Sequence, residues 1–185
     1  MLWDYLGVSG ALPLSAVMAA SERALQAIYL VGDGLTVAFT SYQGVSGTGS
    51  GRWDGILYWR SATRIGDIGD GLSNTLLIGE RPPSADLQYG WWFAGSGWDS
   101  QGSGDVVLGA RETSAAAALG CPAGKVGLQP GTVNDTCDQL HFWSLHIGGA
   151  NFALADGSVR YVSYNANAIL PALCTRSGGE VVNDF

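Results

Sequence analysis

The sequence predicts an α+β fold: one N-terminal amphipathic helix packed on a mainly antiparallel, glycine-rich β-sheet head with long loops. Three observations predict it. A single apolar stripe at helical spacing comes first, short β-prone runs separated by glycine follow it, and an Asp-Gly dipeptide between apolar residues marks a hairpin near the C-terminus. At 185 residues the chain is long enough for one core and short for two. The expected organisation is a helical segment, residues 1–34, joined to a β-rich head, residues 35–185.

The helix is expected after Pro13, where Leu14, Val17, Met18, Ser21, Leu25, Ile28 and Tyr29 form one stripe that Gly32 and Gly34 stop. Its polar face is thin, so both a sheet and neighbouring subunits are open as its cover. Leu14, Val17, Met18, Leu25 and Ile28 are the candidate subunit contacts. From Leu35 the runs "LTVAFTSY", "GILYW", "NTLLIGE", "YGWWFAG" and "DVVLGA" recur at short intervals, punctuated by some of the 28 glycines, about twice the usual frequency. That rhythm predicts an antiparallel sheet with many turns. Near the end, "NANAILPALCTRSGGEVV" reads as a short helix with Pro171 near its first turn and Gly178-Gly179 ending it, after which Val181 and Val182 add an edge pairing.

In "RIGDIGDGLSNTLLIGER", Asp67 and Asp70 stand three apart ahead of Gly71. The favoured reading is a capping turn, with Asp67 accepting backbone N–H groups and Asp70 at the positive end of a short helical turn. The alternative is an oxygen-ligand calcium loop, for which the full D-x-D-x-D-G pattern and its distal Glu are missing. Tyr89, Trp91, Trp92, Phe93 and Trp98 gather five aromatics within ten residues. Core or interface packing is the commoner use of such a cluster, and glycan stacking the sharper one. Cys121 and Cys137 bracket a loop rich in Gly, Pro, Asn and Asp that carries no zinc ligand set. This favours a disulfide and an oxidising compartment over two buried thiols. Cys174 is left over and expected to be buried.

Taken as a two-residue type I′ turn, Asp156-Gly157 pairs Leu154 with Val159 and Phe152 with Tyr161. Phe152, Leu154, Val159 and Tyr161 then share one side of the ribbon, while Ala153, Ala155, Ser158 and Arg160 take the other. Gly148-Gly149 permits a second reversal, so "QLHFWSLH" is expected as a third strand beside Asn151 to Ala155. His146 would end that outer strand and bond a backbone carbonyl or a carboxylate across the bend. Asp156 would occupy the far tip, and since a five-residue strand is about 17 Å long, the two should not touch. His141 is read as a structural histidine. Ser144 and His146 share a strand face without the facing acid or oxyanion hole that acyl-transfer chemistry needs, so no catalytic residue is assigned. No dinucleotide, phosphate or catalytic-metal motif occurs.

"FWSLHIGGANFALADGSVRYVS", followed by "ILPALCTRSGGEVV", resembles the C-terminal signature of a large bacterial family of unknown function, DUF1559-like, whose members pair a prepilin-type N-terminus with an H-X9-DG domain. "RIGDIGDGLSNTLLIGERPP", "TSYQGVSGT" and "CDQLHFWS" resemble further segments of that family, and the likeness runs from about Thr40 to the end. His146 and Asp156-Gly157 match the His and Asp-Gly of the signature. Gly148, Gly149 and Asn151 lie between them. The resemblance implies a secreted or surface-displayed, pilin-like protein in which an N-terminal helix anchors or polymerises the subunit and the β-rich head faces outward.

Composition narrows the function classes. A net charge of −7 and a single lysine, Lys125, argue against a nucleic-acid partner. No run of 18 uncharged apolar residues spans a bilayer. The start of the chain shows no basic region followed by an apolar block, so any export signal is expected to have been removed or to lie outside this sequence. The expectation is a non-enzymatic structural subunit of an extracellular or cell-surface assembly, a filament or sheath with the chain itself as partner and no cofactor. The alternative is a surface carbohydrate-binding module using the Trp cluster, with calcium at Asp67 and Asp70.

Overall fold

β-branched and aromatic residues at alternating positions, separated by glycine turns, build a mixed sheet of five strands with few and short helices. The computed structural model describes residues 28–29, 36–37, 39–86, 88–91, 97–180, 182 and 185. Most of the expected N-terminal helix, with Leu14, Val17, Met18 and Leu25, lies outside the described residues. Ile28 does not end a helix: β1 (Ile28–Tyr29) pairs antiparallel with β2 (Thr36–Val37). Ile and Tyr are strand formers, and the Gly32-Asp33-Gly34 between the two strands is a turn sequence.

The elements that follow are β3 (Tyr42–Gly47), β4 (Leu76–Glu80), β5 (Val107–Gly109), α1 (Thr113–Ala118), β6 (Gly127–Leu128), β7 (His141–Phe142), β8 (Gly149–Leu154), β9 (Val159–Ser163) and α2 (Leu170–Cys174). The main sheet runs β5-β3-β4-β8-β9, antiparallel throughout except for the parallel pair β3 and β5. Val45, Leu76, Leu108, Phe152, Leu154 and Val162 form its principal core with Leu170 and Leu173 of α2. A smaller cluster joins Val106 and Val107 to Ile56 and Leu57.

One expected strand is absent and another pairs elsewhere. "GILYW" runs as bends, tied to β3 by Gly55 N–H to Ser46 O and Leu57 N–H to Val45 O. Its apolar residues mark burial of Ile56 and Leu57 rather than a ladder. "QLHFWSLH" does not flank β8. It supplies the end of a 3-10 turn (Thr136–Leu140) and then β7, which pairs parallel with β6, while β4 takes the place beside β8. α2 carries Pro171 in its first turn but stops at Thr175, which is extended, before Gly178-Gly179. Val182 packs half-buried against the core without entering a strand, and Val181 lies outside the described residues.

Gly79 of β4 has no room for a side chain. A Cβ there would come within 2.5 Å of Phe152 and 2.6 Å of Phe142, rings that meet edge-to-face at 5.3 Å. Gly79→Ala is therefore expected to lower the unfolding free energy by about 1–3 kcal/mol through overpacking, read as a shifted urea midpoint with unchanged slope. An unchanged midpoint would contradict this packing. Cys121 and Cys137 are joined, with Cα atoms 5.6 Å apart, and the bridge closes the loop between α1 and β7. In the chain-entropy account a loop of this size contributes roughly 3 kcal/mol. Cys174 is a buried free thiol, and burial pushes its titration upward.

Candidate functional site

The hairpin of β8 and β9 slips by one residue from the expected register. Phe152 faces Arg160 and Ala153 faces Val159, with Leu154 N–H donating to Ser158 O at 2.9 Å and Gly157 N–H to Leu154 O at 3.0 Å. A type I′ turn needs a left-handed backbone at both central positions. Gly157 has φ +84°, but Asp156 is not among the residues with positive φ, so the loop takes three residues, Ala155-Asp156-Gly157. The slip reverses the faces of β9. Val159 is 68 % exposed and Tyr161 49 %, whereas Val162 joins the core.

Asp156 caps its own turn. Its Oδ1 accepts from Ser158 N–H at 2.8 Å and Ser158 Oγ–H at 2.6 Å, bonds that hold its carboxyl below the usual range. At the other end of β8, Gly148 takes φ +91°, and a Cβ on Gly149 would lie 2.2 Å from Val162 O. Ser144 Oγ–H donates to Gly149 O at 2.8 Å and its oxygen accepts His146 N–H at 3.0 Å, so this hydroxyl closes the reversal. The His146 imidazole is half-exposed and places Nε2 3.4 Å from Oε1 of buried Glu80. The other oxygen of Glu80 accepts Asn151 N–H at 2.8 Å and Asn151 Nδ2–H at 3.2 Å. His146 and Asp156 thus stand beyond opposite ends of β8, a strand about 17 Å long by its rise.

Glu80 was missed by sequence reasoning, although it lies in a quoted family-like segment. Nothing local shows that the last residue of β4 turns a carboxylate inward. Its effect is to bring three distant stretches together: Tyr42 of "TSYQGVSGT" pairs with Glu80 of "NTLLIGER", and Glu80 holds His146 and Asn151 of the H-X9-DG stretch. Next along the chain, Arg81 is fully buried, donating from Nη1 to Pro82 O at 2.9 Å and from Nη2 to Gly104 O. Burial lowers its pKa to about 10, while the Asp105 charge opposes the fall.

A second buried group surrounds "CDQLHFWS". Asp138, 1 % exposed, accepts Thr132 N–H at 2.6 Å, faces His141 Nε2 at 2.9 Å and pairs with Lys125, which also reaches Asp135 at 3.0 Å. The single lysine of the chain thus neutralises this carboxylate beside the disulfide.

Asp67 Oδ2 accepts Arg64 N–H at 2.8 Å within a 3-10 turn (Ile65–Asp67). Asp70 caps at long range instead, accepting Gly178 and Gly179 N–H, each at 2.8 Å. Among the described residues no group of three or more His, Cys, Asp or Glu is arranged for a metal ion. Trp98 packs against the core, close against Gly104 and edge-to-face with half-buried Tyr89 at 5.6 Å. Trp91 forms one bridge with Phe39, and Trp92 and Phe93 lie outside the described residues. A different aromatic group, Trp53, Tyr58 and Trp59, borders an open notch with Asp99 and Gln101. Its signal was the Trp-Arg-rich stretch around "GILYW", read there as a strand.

A family model described as "Protein of unknown function (DUF1559)" matches residues 27–168, more than half of the chain. The match begins ahead of Thr40 and ends before α2. No curated protein and no solved structure matches.

Proposed function

The chain belongs to the DUF1559 family of unknown function, and from that premise we propose that it is a non-enzymatic structural subunit of an extracellular or cell-surface assembly, pilin-like in kind, that binds copies of itself. One observation carries the reading. Of the large apolar side chains left exposed among the described residues, four gather on the H-X9-DG unit: Leu145 at 57 %, Ile147 at 99 %, Val159 and Tyr161. They flank His146 and run along β9, an edge strand of the main sheet. An exposed apolar edge is a template for pairing with another chain, and a patch of this kind is commonly a contact surface. Tyr161 O–H donates to Ile147 O, so strand and loop form one surface. The disulfide suits an oxidising compartment. No described helix is long and apolar enough to cross a membrane.

Sedimentation of the full chain over a wide concentration range tests this. Assembly is expected to grow with concentration and to be lost in Val159→Glu and Tyr161→Glu, while Ile65→Glu, exposed elsewhere, leaves it intact. A monomer at every concentration would contradict the proposal. Surface glycan recognition remains as a second reading, favoured by the notch at Trp53.

A further inference from the structure

Of the three non-glycine residues with a left-handed backbone among the described residues, Trp53 at φ +53° lines one notch, and Arg60 and Ser100, both at +60°, adjoin residues in sequence that line it. Trp53 lines it, Arg60 follows lining Trp59 with its guanidinium 5.1 Å from that ring, and Ser100 lies between lining Asp99 and Gln101. Backbone strain of this kind gathers where a fold holds a site in shape. A second observation points to a ligand. Ser46 also lines the notch, is 4 % exposed, and its Oγ has no hydrogen-bond partner, whereas buried hydroxyls are ordinarily paired.

From this arrangement we infer that the notch binds one neutral pyranose ring of a glycan. Trp53 is central to the aromatic wall, near-parallel to Tyr58 at 6.4 Å and tilted against Trp59 at 6.3 Å, and it remains 39 % exposed. Such rings offer flat apolar faces to the C–H side of a sugar. The floor, which Ser46 lines, has room for about one water-sized group, so a single hydroxyl enters it while the ring lies across the rim. Asp99 and Gln101 supply polar atoms on the opposite rim. No Lys or Arg lines the notch itself, and Arg60 and Arg176, which stand over the Trp59 and Tyr58 rings, are engaged there, so an acidic sugar would meet the Asp99 carboxylate.

The walls are already braced. Asp54 accepts Thr48 N–H at 2.7 Å and Thr48 Oγ–H at 2.6 Å. Arg176 Nη1 donates to Trp53 O at 2.6 Å and Gly55 O at 2.7 Å. Across the notch, Asp99 accepts Gln101 N–H at 2.8 Å and Ser103 Oγ–H at 2.5 Å. Rigid walls reduce the ordering cost of binding. The inference is independent of self-association through β9.

Calorimetric titration of the full chain with cellotetraose, chitotetraose and mannotetraose, and with an oligogalacturonate as the acidic control, tests the site. Saturable binding to at least one neutral oligosaccharide is expected, weakened roughly three- to tenfold in Trp53→Ala and in Gln101→Ala and unchanged in Ile65→Ala, a change at an exposed position outside both surfaces. If circular dichroism shows Trp53→Ala to be misfolded, Gln101→Ala decides. Absence of saturable binding to any neutral probe, binding that survives in the folded variants, or selection of the acidic control would each overturn the inference.

Discussion

Asp138→Ala is expected to remove about 3 kcal/mol of unfolding free energy, because buried His141 and the Thr132 N–H lose their acceptor and Lys125 keeps only Asp135. The pH dependence has a definite sign. Burial by itself raises the Asp138 pKa, but the bonds from His141, Lys125 and Thr132 outweigh it and hold the carboxyl below the usual range. Its stabilisation is therefore fully present above the unfolded value of about 3.9 and is lost as pH falls through the folded value. Glu112 and Asp105 carry the opposite sign: burial raises both, so their contribution grows as pH falls. Urea unfolding of wild type and variant should show a large gap at neutral pH that narrows in acid. A gap of equal size at both would mean that the Asp138 charge is not what the fold uses.

Arg81→Met is expected to cost about 3–5 kcal/mol. The guanidinium donates to both Pro82 O and Gly104 O, and it offsets the Asp105 charge in a fully buried position. Gln43 Nε2 also donates to Gly104 O and to Asp105 O, each at 3.0 Å, so Gly104 O keeps a donor while Pro82 O loses the one Arg81 supplies. Arg81→Lys should recover only part of the loss, since an ammonium cannot reproduce the planar fork. Thermal unfolding reads both variants. A Met variant as stable as wild type would show that the guanidinium spans nothing the fold needs.

The hairpin at Asp156-Gly157 was legible in its position and misread in its register. Alternation could not separate the two pairings, because Val159 and Tyr161 are as apolar as the core-facing residues and only the backbone of Asp156 decides the loop length. β4 and β5 lay where their apolar runs placed them, since a buried strand is a local pattern. That β4, not the segment around His141, lies beside β8 is a pairing between stretches some seventy residues apart, with no local signature. "GILYW" misled for a related reason: burial selects apolar residues whether or not the backbone joins a ladder. Cys121 and Cys137 were legible from composition alone. Glu80 and Asp138 were not, because a carboxylate inside a fold looks in sequence like one on its surface.

A double-mutant cycle tests most directly whether His146 and Asp156 serve separate ends of one strand. Unfolding free energies of wild type, His146→Ala, Asp156→Ala and the double variant are to be measured under one set of conditions. With β8 between the two side chains, the single losses are predicted to add within the error of the titrations, as they do for sites without shared partners. A coupling clearly outside that error would contradict the separation and place the imidazole and the carboxylate in one working unit.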